Sequence, residues 1–184
     1  MTKMTRRAAL LALGALPLAA CSNGVGSSGA AKIDARVNAT LNELYTRYPD
    51  TLNLADVAAG ILVMPVVTEA GLGVGGSYAR GALLVGGSTV DYYSAIKANV
   101  GFQIGAQQYA SVLFFMTDES LSDFRRSSGW AAGADVGYAT PNEGRTLAAE
   151  TTTSLSPVIA VIFGHAGLRI GATLDGVKYT RIVP

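Results

Sequence analysis

The apolar positions of this chain change period along its length. From Lys32 to Tyr48, Ile33, Val37, Leu41, Leu44, Tyr45 and Tyr48 recur at helical spacing and form one stripe. At about 100° per residue, Lys32, Arg36, Glu43 and Arg47 gather on the neighbouring face. This predicts a helix with an apolar stripe flanked by a mainly cationic one, ended by Pro49. Asn53 to Ala59 predicts a second short helix, with Gly60 as its C-terminal cap.

From Ile61 the period becomes two, or the run becomes wholly apolar. Strands are expected over Ile61–Val67, Leu72–Tyr78 and Ala82–Val85, with Pro65 marking an edge or a bulge. Gly71, Gly73 and Gly75 stand at alternate positions, which strips one strand face of side chains and allows close backbone approach. Gly86-Gly87-Ser88 marks a turn, and Val100, Phe102, Ile104 and Ala106 alternate with Gly101, Gln103, Gly105 and Gln107. Ser111–Met116 reads as a fully apolar strand. Asp118–Arg126 reads as a short helix with Thr117 or Asp118 as N-cap and two arginines at its C-terminal end, as the helix dipole prefers.

The last third repeats the theme. Ala132, Ala134, Val136 and Tyr138 alternate with Gly133, Asp135 and Gly137, and Pro141–Arg145 forms a loop. Val158–Phe163 is apolar, Leu168–Leu174 alternates, and Asp175-Gly176 marks a hairpin turn into Val177–Val183. Gly101/Gly105, Gly133/Gly137 and Gly167/Gly171 share a four-residue spacing that puts each pair on one strand face, as the bends of a closing barrel require. Short strands, tight turns and no regular strand–helix alternation predict an α+β fold: an antiparallel, barrel-like core with about three helices packed on its surface.

The N-terminal end adds a location. Lys3, Arg6 and Arg7 precede a short apolar run, Ala8–Ala19, and Leu18-Ala19-Ala20-Cys21 resembles a bacterial lipobox. Residues 1–20 are expected to be a signal peptide. Residues 21–31 are then a lipidated Cys21 and a flexible tether rich in Ser and Gly, and residues 32–184 a single domain. Cys21 is the only cysteine, so it has no disulfide partner. Ser22 after Cys21 resembles an outer-membrane sorting signal, which places the domain on the bacterial envelope facing the periplasm. Removing Lys3, Arg6 and Arg7 leaves 11 cations against 13 acids, a net charge of −2. That balance excludes broad nucleic-acid binding and confines any anion recognition to a local patch.

Candidate chemistry is sparse. Gly71-x-Gly73-x-x-Gly76 spells a dinucleotide fingerprint, but strand character follows it where a helix should open. Gly75-Gly76-Ser77-Tyr78-Ala79 is near a nucleophile elbow without its final glycine, and His165, the one histidine, lies in a glycine-flanked turn. One histidine and one cysteine do not make a zinc site. No enzyme activity, cofactor or metal is expected. The helix with Lys32, Arg36 and Arg47 is the interaction element, either packed on the barrel with solvated cations or turned toward anionic lipid.

Gly60-Ile-Leu-Val-Met-Pro65, Ala70-Gly71-Leu72-Gly73-Val74-Gly75-Gly76, Tyr92-Tyr93-Ser94 and Gly101–Gln107 together resemble the signature motifs of the SYLF-domain family, from about Leu52 to the C-terminus. The resemblance implies a β-barrel core with helices on its surface, and binding of phosphoinositides and other anionic lipids. Arg80 is the cation nearest the glycine-rich motif. The expected headgroup-binding residues are therefore Lys32, Arg36, Arg47 and Arg80, with the membrane also reached through Cys21. The alternative is a structural envelope lipoprotein that acts through an unidentified protein partner.

Overall fold

The computed structural model describes residues 28–133, 136–138, 156–164, 167–168 and 174–184. The signal peptide, Cys21, most of the tether, the Pro141–Arg145 loop, His165 and most of the Gly167/Gly171 segment lie outside the described residues.

Three helices and seven strands occur among the described residues. They are α1 (Gly29–Arg47), α2 (Thr51–Val57), β1 (Gly60–Val85), β2 (Ser88–Phe115), α3 (Asp118–Arg126), β3 (Trp130–Ala131), β4 (Val136–Tyr138), β5 (Val158–Gly164), β6 (Gly167–Leu168) and β7 (Lys178–Ile182). All seven strands form one curled sheet, so the fold is α+β with a barrel-like core. The pairing is antiparallel except between β4 and β5, which run parallel.

The spine of the sheet is β2. One edge zips to β1 from Gly60↔Phe115 to Val85↔Ser88, through a tight turn at Gly86 and Gly87, both at positive φ. The other edge is shared, with β7 pairing Tyr92–Ile96 and β5 pairing Ala110–Phe115. Where sequence periodicity predicts three strands in residues 61–85, the protein has one strand that bends. Its register slips at Met64/Val67, around Pro65, and again at Leu72/Val74. At the second slip the backbone folds so tightly that a Cβ on Gly71 would lie 2.9 Å from Gly75 Cα, and one on Gly75 would lie 2.6 Å from Ala70 O. The two halves of β1 then lie against each other, and a Cβ on Gly81 would overlap Val63 O. Gly60 does not cap α2: it begins β1, Ala58 holds the cap position, and a Cβ at residue 60 would press on Leu121 at 2.8 Å. Asp175-Gly176 does turn the chain, with Gly176 at positive φ, but among the described residues β7 pairs with β2 and β3 rather than with the preceding strand.

The sheet has two cores. On its concave side Leu62, Met64, Leu83, Tyr93, Leu113, Phe115, Ala160 and Tyr179 are buried with Leu121 and Phe124 of α3. Phe124 contacts Tyr93, Phe115, Trp130 and Tyr179 at centroid distances of 4.7–6.2 Å, in the tilted and edge-on geometries aromatic pairs prefer. On the convex side Val63, Leu84, Val112, Phe114, Ile159, Val161 and Phe163 meet Ile33, Val37, Leu41, Leu44 and Tyr48 of α1. The wholly apolar runs in β2 and β5 are thereby explained, because alternate residues enter different cores and both faces are dry. The Thr117 side chain caps α3 by accepting from Ser120 N at 3.1 Å.

Candidate functional site

The predicted stripe on α1 is real and faces the convex core, so its two flanks emerge on either side of the helix. On one flank Asp34 is tied down: Thr89 Oγ1 donates to it at 3.0 Å and Tyr92 OH at 2.8 Å. Burial, and then this bond to Asp34, pushes the Tyr92 hydroxyl up to about 12. These bonds fix the N-terminal half of α1 on the β2 end of the hairpin.

The other flank carries Lys32 and Arg36. It overlooks an open groove of about 930 Å³ between α1 and the outer face of the folded hairpin. The groove is bounded by Lys32, Ile33, Arg36 and Thr40 of α1, by Pro65, Val66, Thr68, Tyr78 and Arg80 of β1, by Gln108 of β2, and by Phe163 and Gly164 of β5. The fold-over of β1 at Gly71–Gly75 makes this possible. It returns Arg80 to the side of the sheet on which α1 lies, 44 residues after Arg36 in sequence. Among the described residues no carboxylate pairs with Lys32, Arg36 or Arg80. Lys32 and Arg36 are exposed and Arg80 is half-buried. Three unneutralised cations around one concavity in a chain with no large excess of positive charge form a local anion-attracting field.

Arg47 sits differently. Its guanidinium donates to Glu43 Oε1 at 2.9 Å and to Gly164 O at 3.2 Å, and it lies 5.5 Å from the Tyr48 ring centroid. Glu43 and Gly164 belong to the groove wall, so Arg47 braces the wall instead of presenting a charge to the cavity. The structure thus brings together three of the four cations expected from sequence and places the fourth behind them. The Glu43/Arg47 spacing of four residues is the signal for that pairing.

A second cationic cluster is structural. Asp91 accepts from Arg125 at 3.2 Å and pairs with Arg181 at 3.3 Å, while Arg181 also donates to Arg125 O at 3.1 Å. The hydrogen bond to Tyr93 pushes the Arg181 guanidinium further up. This clasp holds the C-terminal end of α3 against β2 and β7, and nothing in the spacing of Asp91, Arg125 and Arg181 announces it in the sequence.

The remaining motifs have structural roles. Gly71, Gly73 and Gly76 all lie within β1, and no helix opens after them, so the dinucleotide arrangement is absent. Ser77 is buried in β1 between Gly76 and Tyr78 instead of standing on a strand-to-helix turn. None of the described helices is long and apolar enough to cross a membrane.

A family model described as Ysc84, Las17-binding protein actin regulator, matches residues 96–181. That region begins in the far half of β2 and runs through α3 and β3–β6 into β7. No curated protein is matched by the chain.

Proposed function

Over residues 96–181 the chain belongs to the Ysc84 (SYLF-domain) family, and from that premise we propose that it binds anionic lipid headgroups in the groove between α1 and the folded hairpin, without catalysing a reaction. The observation that carries this reading is the convergence of Lys32, Arg36 and Arg80 on one open cavity with no described carboxylate partner. A phosphate entering the groove gains charge-assisted hydrogen bonds, and Arg36 and Arg80 can each offer a bidentate fork to it. Each cation near an anionic surface contributes about 1 kcal/mol, so three give weak binding on their own.

Weak binding suffices for a tethered domain. We propose that Cys21 is lipidated and that the chain is held at a bacterial envelope membrane, on the support of the lipobox-like Leu18-Ala19-Ala20-Cys21. Ser28 and Gly29 line the groove, seven and eight residues after Cys21, so the anchor would hold the groove close to the bilayer and raise the local headgroup concentration. The mass of the membrane-extracted protein tests this part: a diacylglyceryl-modified N-terminal Cys21 is expected, and an unmodified residue there contradicts it.

Vesicle co-sedimentation tests the headgroup reading. Binding is expected to phosphatidylglycerol or phosphoinositide vesicles and not to phosphatidylcholine vesicles, and to weaken as salt screens the cations. Equal partitioning to neutral and anionic vesicles contradicts it. A protein partner in the envelope is the second reading, favoured by the family description, which names a protein-binding regulator. Crosslinking in cells that reproducibly recovers one partner through groove residues supports it.

A further inference from the structure

We propose that the outer face of the hairpin beside its bend enters the bilayer interface, with Val74, Tyr78 and Ile96 as the inserted side chains. This rests on the headgroup reading and adds to it the part of the molecule that penetrates.

Pairing is continuous from Val74↔Val100 to Tyr78↔Ile96 and on to Arg80↔Ser94, without a bulge. Val74, Tyr78 and Arg80 therefore share one strand face. The opposite face carries Ser77, Ala79 and Gly81, all buried. Across the sheet Tyr78, Ile96 and Lys178 are mutually opposed on β1, β2 and β7, which puts them in one row on the same side. Val74 is 74% exposed, Ile96 55% and Tyr78 52%. Val63, Ala82, Leu84, Val112 and Phe114 of the hairpin are instead buried against α1, and Val66 and Val90 are exposed to a lesser degree.

A bilayer fits this face better than an apolar protein surface does. The patch is small, carries a tyrosine with its polar tip, and is bordered by the cations Arg80 and Lys178, the arrangement that suits a headgroup boundary. The nearest acid on β1, Glu69, lies before the bend and accepts from Gln107 at 3.0 Å. The patch is also continuous with the groove, because Tyr78 and Arg80 line both. A membrane plane that receives Tyr78 therefore meets the groove cations at headgroup depth.

The test uses the full processed chain with Val74→Trp, compared with the parent protein by difference fluorescence, on phosphatidylglycerol and on phosphatidylcholine vesicles. Val57→Trp, an exposed position on α2, serves as the control. The expected result is a blue shift of the residue-74 signal on anionic vesicles and its quenching by brominated acyl chains, with no such change at residue 57. Val74→Asp combined with Ile96→Asp is expected to weaken vesicle binding about tenfold or more while leaving the melting curve unchanged. An unshifted signal on vesicles that the chain binds, or Asp variants that bind as well as the parent, overturns the insertion and leaves the headgroup reading standing. A parent chain that is dimeric in solution and Asp variants that are monomeric, with unchanged vesicle binding, assign the patch to self-association and also overturn it. No binding to anionic vesicles by the parent chain removes the headgroup reading itself.

Discussion

The β1–β2 hairpin has a near half, where β5 pairs with β2, and a far half, where β7 does. Both halves bury one face in the same aromatic core around Phe124. They differ on the other face. In the near half Val63, Val112 and Phe114 lie under α1, fully dry. In the far half Ala82 and Leu84 near the turn also lie under α1, but Val74, Tyr78 and Ile96 beside the bend face outward, exposed. The groove with Lys32, Arg36 and Arg80 lies between the closed region and the open one. A sheet that α1 covered throughout would present only helix cations. The bend leaves the stretch of the hairpin beside it uncovered and sets a strand cation beside two helix cations.

The largest expected effect comes from removing the fold-over that creates the two halves. Gly81→Val places a branched side chain on Val63 O, and because backbone cannot yield as a side-chain tip can, a loss of more than about 3 kcal/mol is expected in urea unfolding. Near-normal stability would mean that the halves of β1 do not pack as described. The closed face is tested next. Phe114→Ala is expected to cost about 3–5 kcal/mol, whereas Ile96→Ala, on the same strand but outside, stays within about 0.5 kcal/mol. Similar losses at both positions would erase the distinction between the halves.

A smaller effect is expected at the latch of α1. Asp34→Ala leaves Thr89 and Tyr92 without their acceptor and is expected to cost about 1–3 kcal/mol in thermal or denaturant unfolding. The same contact sets an alkaline dependence. Because the Tyr92 hydroxyl is raised from 10.0 to about 12 in the folded protein, the unfolded chain loses this proton first as pH rises. The contribution is full below about pH 10 and declines up to about pH 12, and Tyr92→Phe is expected to remove that part of the slope in a pH series of melts. An identical slope in the variant would detach the effect from Tyr92.

The local pattern of the chain carried much of this architecture. The α1 stripe, the Thr117 cap, the Gly86-Gly87 turn and the apolar runs of β2 and β5 are each set by neighbours in sequence, and each is found. The continuity of β1 is not legible in the sequence, since residues 68–71 and 79–81 carry no strand pattern of their own and the contact that requires glycine at residue 81 is made by the same strand's other end. Residues 88–99 carry no clear strand pattern either, and only pairing with β1 and β7 defines them as half of β2. For the site, Lys32 and Arg36 are visible together because they are one helical turn apart. Their meeting with Arg80 depends on the fold-over, a long-range event without a local signature. Asp34 has no signal in the sequence, because a single acid on a helix flank looks solvated until Thr89 and Tyr92 are brought to it.

The most direct test of the account is the partition of the chain onto phosphatidylglycerol vesicles when Lys32, Arg36 and Arg80 are all changed to Gln, set beside Arg126→Gln at the far end of α3. The triple variant is expected to keep its melting temperature and to bind about 100-fold more weakly, from three cations at about 1 kcal/mol each, while Arg126→Gln binds nearly as the parent does. Equal weakening by both variants, or none by the triple, would contradict the assignment of the groove.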